Sequence, residues 1–182
     1  MRFEDTTQEG MLLKYALAVL TVLLLTAPGA LAETQAIAAF TPGARILFQG
    51  DSITDGNRGR SADPNHILGH GYCFIIAAKF GEAFPEANLE FFNRGISGNT
   101  VLDLEKRWQK DTLDLKPDVL SILIGVNDFT HAGSGATPGA ADTYEHDYDA
   151  LLTATLAALP NVRLVLGEPF LLPSGSSGVG EQ

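Results

Sequence analysis

The sequence contains little cysteine, few basic side chains and no internal repeat. Its single cysteine, Cys73, cannot form a disulfide within the chain, and its apolar helical surroundings predict a buried thiol. The 182 residues carry 12 basic and 22 acidic side chains, a formal net charge of −10, which disfavours nucleic acid and anionic lipid as partners. A phosphate-binding module is also disfavoured, because no lysine or glycine-rich run follows the first predicted strand. The length corresponds to one domain at most.

The first 32 residues predict an export signal. The opening ten residues are polar and acidic, whereas from Met11 one lysine precedes an apolar run over residues 15–25 and a small-residue segment with an Ala-x-Ala site. These are the features of a cleaved secretory signal peptide. We expect Met11 to be the true start, residues 33–182 to form the mature domain, and the protein to be secreted or periplasmic without stable membrane association. An uncleaved anchor is the alternative, since this stretch is just long enough to span a bilayer.

After Pro42 and Gly43, strand-like apolar runs alternate with helix-like amphipathic stretches. Strands are predicted at residues 45–49, 89–93, 119–125 and 162–166. Helices are predicted over residues 72–83, after a cap at Asn99 or Thr100, and over residues 144–159. Four strands separated by helices imply right-handed crossovers and a mostly parallel sheet covered on both faces.

Two long loops and a Ser- and Gly-rich C-terminal stretch interrupt this alternation of strands and helices. The loop over residues 55–71 is too long for a plain connection and is a candidate substrate-facing segment, and residues 132–139 form a second loop. A Ser- and Gly-rich stretch over residues 174–182 predicts a flexible tail. No closing strand or helix is predicted after the fourth strand, so we expect the sheet to stop there with an open edge and exposed apolar surface.

Three polar motifs follow the first three predicted strands. They are Gly50-Asp51-Ser52-Ile53, Gly95-Ile96-Ser97-Gly98-Asn99 and Gly125-Val126-Asn127-Asp128. The carboxyl ends of neighbouring parallel strands lie about 5 Å apart, so the motifs should converge on one crevice, where open α/β sheets bind their ligands. An ordinary capped turn is the alternative interpretation of the first motif taken alone.

The residue types in these motifs suit hydrolysis of an ester or amide. Ser52 can act as a nucleophile, and the N–H groups of Ser52 and Gly98 can donate to a developing oxyanion together with the carboxamide of Asn127. Glycine at position 98 places no Cβ in the path of the substrate, and a neutral amide at position 127 donates without a charge to desolvate.

Taken in order, the motifs resemble the SGNH, or GDSL-type, hydrolase family, in particular its bacterial secreted lysophospholipase-like esterases. The resemblance runs from about Arg45 to Pro173. It implies an α/β three-layer sandwich with a flavodoxin-like sheet, and hydrolysis of carboxylic esters through a Ser–His–Asp triad without cofactor or metal. It assigns Ser52 as nucleophile and oxyanion donor, with Gly98 and Asn127 as further donors. Acetylated carbohydrates and short-chain or lipid esters are the substrates it suggests.

The fourth signature of the family, an Asp-x-x-His segment near the C-terminus, is missing. Two look-alikes are present, Asp63-Pro64-Asn65-His66 and Asp128-Phe129-Thr130-His131, but neither has the expected position, and His70 and His146 lie in no motif. Without the histidine base a serine keeps its proton, a loss on the order of 10⁶ in kcat. We therefore expect a truncated gene product that is inactive as written. A non-catalytic carbohydrate- or ligand-binding domain using the same crevice is the alternative.

Overall fold

The computed structural model describes residues 37–61, 65–131 and 140–170. The predicted signal segment 1–32, the loop 132–139 and the tail 174–182 lie outside these ranges. Within them, no helix combines the length and the apolar character that a membrane crossing requires.

Four strands form one parallel sheet. They are β1 (Arg45–Gly50), β2 (Glu90–Asn93), β3 (Val119–Leu123) and β4 (Arg163–Gly167), in the spatial order β2-β1-β3-β4. The chain leaves β1 toward β2 and returns to add β3 on the other side of β1, so the order reverses between β1 and β3. Sheets of this kind open a crevice at such a reversal, beyond the carboxyl ends of the strands. The predicted parallel α/β class is confirmed.

In the described part of the chain, five helices and two 3₁₀ turns connect or follow the strands. The helices are α1 (Ser52–Asp55), α2 (Tyr72–Ala83), α3 (Val101–Asp111), α4 (Val126–His131) and α5 (Ala140–Ala158). The 3₁₀ turns are Pro85–Ala87 and Leu113–Leu115. Helices α2, α3 and α5 are the three long crossover segments.

The alternation of side chains along β1 shows the three layers of the predicted sandwich. Ile46 packs with Cys73 of α2 on one face, whereas Leu47 packs with Leu104 of α3 and Leu151 of α5 on the other. Successive side chains of a strand point to opposite faces, so β1, β2 and β3 each serve two separate apolar clusters, whereas β4 contributes Leu164 to one of them. The sheet is therefore covered on both sides.

Strand β3 is two residues shorter than predicted. The carbonyl oxygen of Ile124 accepts a hydrogen bond from the Tyr144 hydroxyl at 3.1 Å, and Gly125 has a φ of +129°. Both features take the backbone out of the ladder after Leu123, although the apolar run continues. The other strand boundaries differ by one residue: β1 includes Gly50, β2 begins one residue later, and β4 is shifted by one. Helix α5 begins at Ala140, four residues before its predicted start, and a one-turn helix stands where a turn was predicted.

The outer side of β4 is the open edge that the sequence predicts. Val165 and Leu166 on this strand are 53% and 48% exposed, and Phe170 beyond it is 53% exposed. Among the described residues, no strand pairs with this side of β4.

Candidate active site

Ser52 is the first residue of α1 and is exposed, directly after the carboxyl end of β1. Asp51 before it is buried, and its Oδ1 accepts a hydrogen bond from the N–H of Ile53 at 2.9 Å, which starts the helix. Gly50 is required by close packing, because a Cβ there would collide with the carbonyl oxygen of Leu123 and the side chain of Thr54. The end of β1 therefore lies tightly against β3 and leaves the serine at the surface of the crevice.

The loops after β1 and β2 are joined by direct hydrogen bonds. The N–H of Ile96 donates to the carbonyl oxygen of Gly50 at 3.1 Å. Oδ2 of the buried Asp55 accepts from the N–H and the hydroxyl of Ser97 at 3.0 and 3.2 Å, and from Arg60 at 2.6 Å. Burial by itself would raise the pKa of Asp55, but the hydrogen bonds from Arg60 and Ser97 outweigh burial and lower it. An ionised carboxylate thus holds the second motif against the first.

Gly98 is exposed in the turn that follows Ser97. Its φ of +83° lies in the left-handed region, where a residue with a Cβ is strained. An added Cβ at this position would meet no atom within 4 Å. Glycine is therefore required here by the backbone conformation, and the space that a side chain would occupy is open.

The loops after β2 and β3 are joined in the same way. Nδ2 of Asn127 donates to the carbonyl oxygen of Asn99 at 3.0 Å, and Oδ1 of Asp128 accepts from the N–H of Val101 at 3.0 Å. The first bond orients the carboxamide of Asn127 beside the turn that contains Gly98. All three motifs thus meet at the carboxyl edge of the sheet, and the catalytic roles of their residues remain predictions.

Two buried polar side chains that the sequence analysis did not single out support this edge. Asn93, the last residue of β2, donates through Nδ2 to the carbonyl oxygens of Thr54 at 2.7 Å and Leu68 at 2.9 Å, and accepts from the N–H of Gly95 at 2.9 Å. The second of these side chains is Asp55, which binds Ser97 and Arg60 as described above. Asn93 is visible in the sequence as a polar residue at a strand end, but the carbonyl oxygens of Thr54 and Leu68 that it binds lie 39 and 25 positions away.

The surroundings of Asp51, the residue before Ser52, disfavour its ionised form. Burial raises the pKa of Asp51, the N–H of Ile53 works in the opposite direction, and the nearby carboxylate of Asp128 raises the pKa further. A raised pKa means that the folded chain binds this proton more tightly than the unfolded chain. The ionised form of Asp51 therefore lowers stability at neutral pH, and this penalty disappears as the pH falls through the raised pKa toward 3.8.

We expect Asp51→Asn to stabilise the domain at pH 7, because asparagine caps a helix about as well as aspartate without burying a charge. The gain should shrink as the pH approaches 3.8. Urea denaturation of both proteins at pH 7 and pH 4.5 measures it, with the exposed Asp149→Asn as the control that should show no such pattern. A loss of stability at pH 7 would contradict the prediction.

None of the described imidazoles contacts Ser52. The rings of His66 and His70 lie 4.9 Å apart, tilted by 48°, and both residues line a cavity of about 410 Å³. His146 on α5 is exposed and contacts Asp147 at 3.1 Å. For the two Asp-x-x-His look-alikes, Asp63 and the side chain of His131 lie outside the described part of the chain. No catalytic base is therefore assigned among the described side chains.

Cys73 is fully buried, as the sequence predicts. Its thiol lies 3.6 Å from the carbonyl oxygen of Thr54, and burial raises its pKa to about 12. A thiol of this kind stays protonated and packs as a small apolar group. It takes no part in the chemistry of the crevice.

Comparison with known proteins agrees with this geometry. The model of the GDSL-like lipase/acylhydrolase family matches residues 48–181. An acetylxylan esterase from Geobacillus stearothermophilus is 37% identical over 134 residues, which cover 71% of this chain and 61% of that protein. An uncharacterised lipoprotein of Bacillus subtilis strain 168 is 49% identical over 41 residues, 22% of this chain and 17% of the lipoprotein.

Solved structures show the same relationship. A protein described as a GDSL-like lipase, from Parabacteroides merdae ATCC 43184, superimposes with a TM-score of 0.69 at 45% identity, covering 74% of this chain and 63% of its own. The Geobacillus acetylxylan esterase superimposes with a TM-score of 0.61 at 35% identity, covering 70% and 60%. The chain thus spans about three fifths of the length of these relatives. By its sequence, its fold and its three motifs, it belongs to the GDSL-like lipase/acylhydrolase family.

Proposed function

We propose that the crevice at the reversal of the strand order is the site of a serine esterase, with Ser52 as its nucleophile. The observation that carries this proposal is the set of hydrogen bonds that joins the three motif loops. Ile96 N–H to Gly50 joins the first two loops, and Asn127 to Asn99 joins the second and third. The exposed residues Ser52 and Gly98 and the oriented carboxamide of Asn127 then lie on one edge of the sheet.

In the proposed reaction, Oγ of Ser52 attacks the acyl carbon of an ester while a histidine takes its proton. The carbonyl oxygen becomes an oxyanion that accepts hydrogen bonds from the N–H groups of Ser52 and Gly98 and from the amide of Asn127. The protonated histidine then gives its proton to the alcohol that leaves, and water hydrolyses the acyl–serine by the same steps. Each oxyanion donor is typically worth about 3 kcal/mol in the transition state.

The base is the part of this mechanism that the described residues do not supply. Catalytic mutants of the Geobacillus acetylxylan esterase replace a serine, and an aspartate and a histidine three positions apart. From the third motif onward, the only Asp-x-x-His spacing in this sequence is Asp128 to His131, and its aspartate belongs to the motif itself. We therefore expect the chain to hydrolyse esters only at the residual rate that oxyanion stabilisation and binding provide.

For the substrate we propose an acetyl ester on a carbohydrate. The similarity to an acetylxylan esterase supports this choice. The test uses a chimera in which this chain, up to Phe170, continues with the segment of that esterase that carries the aspartate and histidine.

We expect the chimera to release acetate from acetylated xylooligosaccharides, and to prefer p-nitrophenyl acetate to p-nitrophenyl laurate by about tenfold or more in kcat/KM. A preference for the laurate ester would indicate a lipid substrate instead.

A non-catalytic binding domain is the second candidate, and the absence of a described imidazole beside Ser52 is the observation that favours it. This candidate predicts that xylooligosaccharides bind equally well to the chain and to its Ser52→Ala variant in titration calorimetry. It also predicts no turnover by the chimera. Hydrolysis by the chimera that depends on Ser52 would exclude it.

We also propose that the protein is exported, with a mature chain that begins at Glu33. The apolar run over residues 15–25 and the similarity of one segment to a lipoprotein support this location. N-terminal sequencing of the exported protein would reveal a different start if cleavage occurs elsewhere.

A further inference from the structure

We propose that Arg107, a side chain of α3 outside the three motifs, is a positioning residue that holds the oxyanion-donating loops together. The proposal rests on the serine esterase function proposed above. The observation behind it is the set of partners of the guanidinium group, which bonds to the end of β1, to the residue after β2 and to the turn that carries Gly98.

Three loop groups accept from this guanidinium. Nη1 donates to the carbonyl oxygen of Arg94 at 2.7 Å, directly after β2, and Nε donates to Oδ1 of Asn99 at 2.9 Å. Nη2 lies 3.5 Å from the carbonyl oxygen of Gly50, two residues before Ser52. One side chain thus contacts the end of β1 and the loop after β2 at the same time.

Asn99 extends this contact to the third loop. Its carbonyl oxygen accepts from Nδ2 of Asn127 at 3.0 Å, and its N–H donates to the carbonyl oxygen of Ile96 at 3.2 Å, closing the turn that contains Gly98. By holding the side chain of Asn99, Arg107 orients both the peptide of Gly98 and the carboxamide of Asn127. Oxyanion donors act because they are preorganised, so a small displacement lowers the rate strongly.

The surroundings of Arg107 suit a guanidinium and no other cation. Its side chain is 15% exposed, and Asp111 one turn later accepts from Nη1 at 3.1 Å, which offsets part of the desolvation of the charge. Burial lowers the pKa of Arg107 and Asp111 raises it, and arginine stays protonated at neutral pH. A planar group with five donors serves several acceptors at fixed angles, whereas a lysine ammonium is a point charge.

Helix α3 has its own sources of stability and does not need these bonds to form. Thr100 and Asp103 form a capping box at its N-terminus, and Leu104 and Trp108 are buried in the core. Loss of the guanidinium should therefore loosen the loops while the helix stays in place. This difference separates a positioning role from a general structural one.

Heteronuclear NMR of the whole chain tests the proposal through Arg107→Gln. We expect the signals of the Gly98 N–H and the Asn127 side-chain amide to shift or broaden, while those of Leu120 in β3 stay in place. Lys110→Gln removes an exposed positive charge from the same helix and should leave all of these signals unchanged. Arg107→Lys should give an intermediate result, because it keeps the charge but loses the fork of donors.

The rate of p-nitrophenyl acetate hydrolysis above the buffer rate gives a second readout. We expect kcat to fall about 10-fold or more in Arg107→Gln, with KM within about 2-fold of the parent value. Unmoved signals of Gly98 and Asn127 in this variant would overturn the positioning role, whatever the rate. If Arg107→Gln does not fold, the same signals in Arg107→Lys decide the question. If the parent chain shows no measurable hydrolysis, as a serine without its base would give, the NMR signals alone decide the positioning role, and the chimera tests the esterase function separately.

Discussion

Ser52→Ala is expected to lower ester hydrolysis by the chimera with the Geobacillus acetylxylan esterase by about 10⁴- to 10⁶-fold in kcat. The reason is that this hydroxyl forms the acyl intermediate of the proposed reaction. The measurement is steady-state hydrolysis of p-nitrophenyl acetate, with labelling by a fluorophosphonate probe as a second assay. The variant should lose both activities.

The same substitution in the chain without the added segment is the matched control. There, Ser52→Ala should change the rate by less than about 10-fold, because a serine without a base keeps its proton and contributes little. A chimera that still reacts with the probe after Ser52→Ala would show that another residue is the nucleophile. A large effect in the unmodified chain would show that a base already lies within reach of Ser52.

Asn127→Ala in the chimera is expected to lower kcat by about 10²- to 10³-fold while KM changes little. The carboxamide of Asn127 is held by its bond to Asn99, so it donates most effectively to the charge that develops in the transition state. Steady-state kinetics with p-nitrophenyl acetate separates the two parameters. Asn127→Asp should lower kcat at least as much, because it places a negatively charged side chain of similar shape beside the oxyanion.

Asn161→Ala is the control for this prediction. Asn161 is exposed and precedes β4, so it lies at the amino edge of the sheet, opposite to the crevice. We expect its removal to leave kcat unchanged. A decrease of less than about 10-fold in Asn127→Ala would mean that this amide is a structural link between loops and no oxyanion donor.

Much of the fold could be predicted from the periodicity of apolar residues. Runs of apolar residues between helical patterns predict buried parallel strands, and Leu120, Ile122 and Val119 of β3 are buried as that pattern requires. The ends of the elements were less accessible, because a boundary depends on partners elsewhere in the chain. β3 ends at Leu123 since the hydroxyl of Tyr144 takes the next carbonyl oxygen.

The motif residues of the candidate site could also be predicted, since Ser52, Gly98 and Asn127 each stand directly after a strand with a characteristic spacing. The residues that support these motif residues could not be predicted from the sequence. Asp55 and Arg107 are ordinary charged residues in the sequence, and their importance depends on acceptors and donors from other loops.

By itself, the sequence determined the class of the fold, the three motifs and their family, because these depend on local patterns of apolar and polar residues. Only the tertiary structure decided the strand order β2-β1-β3-β4 and the bonds of Asp55, Asn93 and Arg107 that join the loops at one edge. The physical reason is that a buried polar group must find its partner in space, and that partner lies up to 57 positions away along the chain.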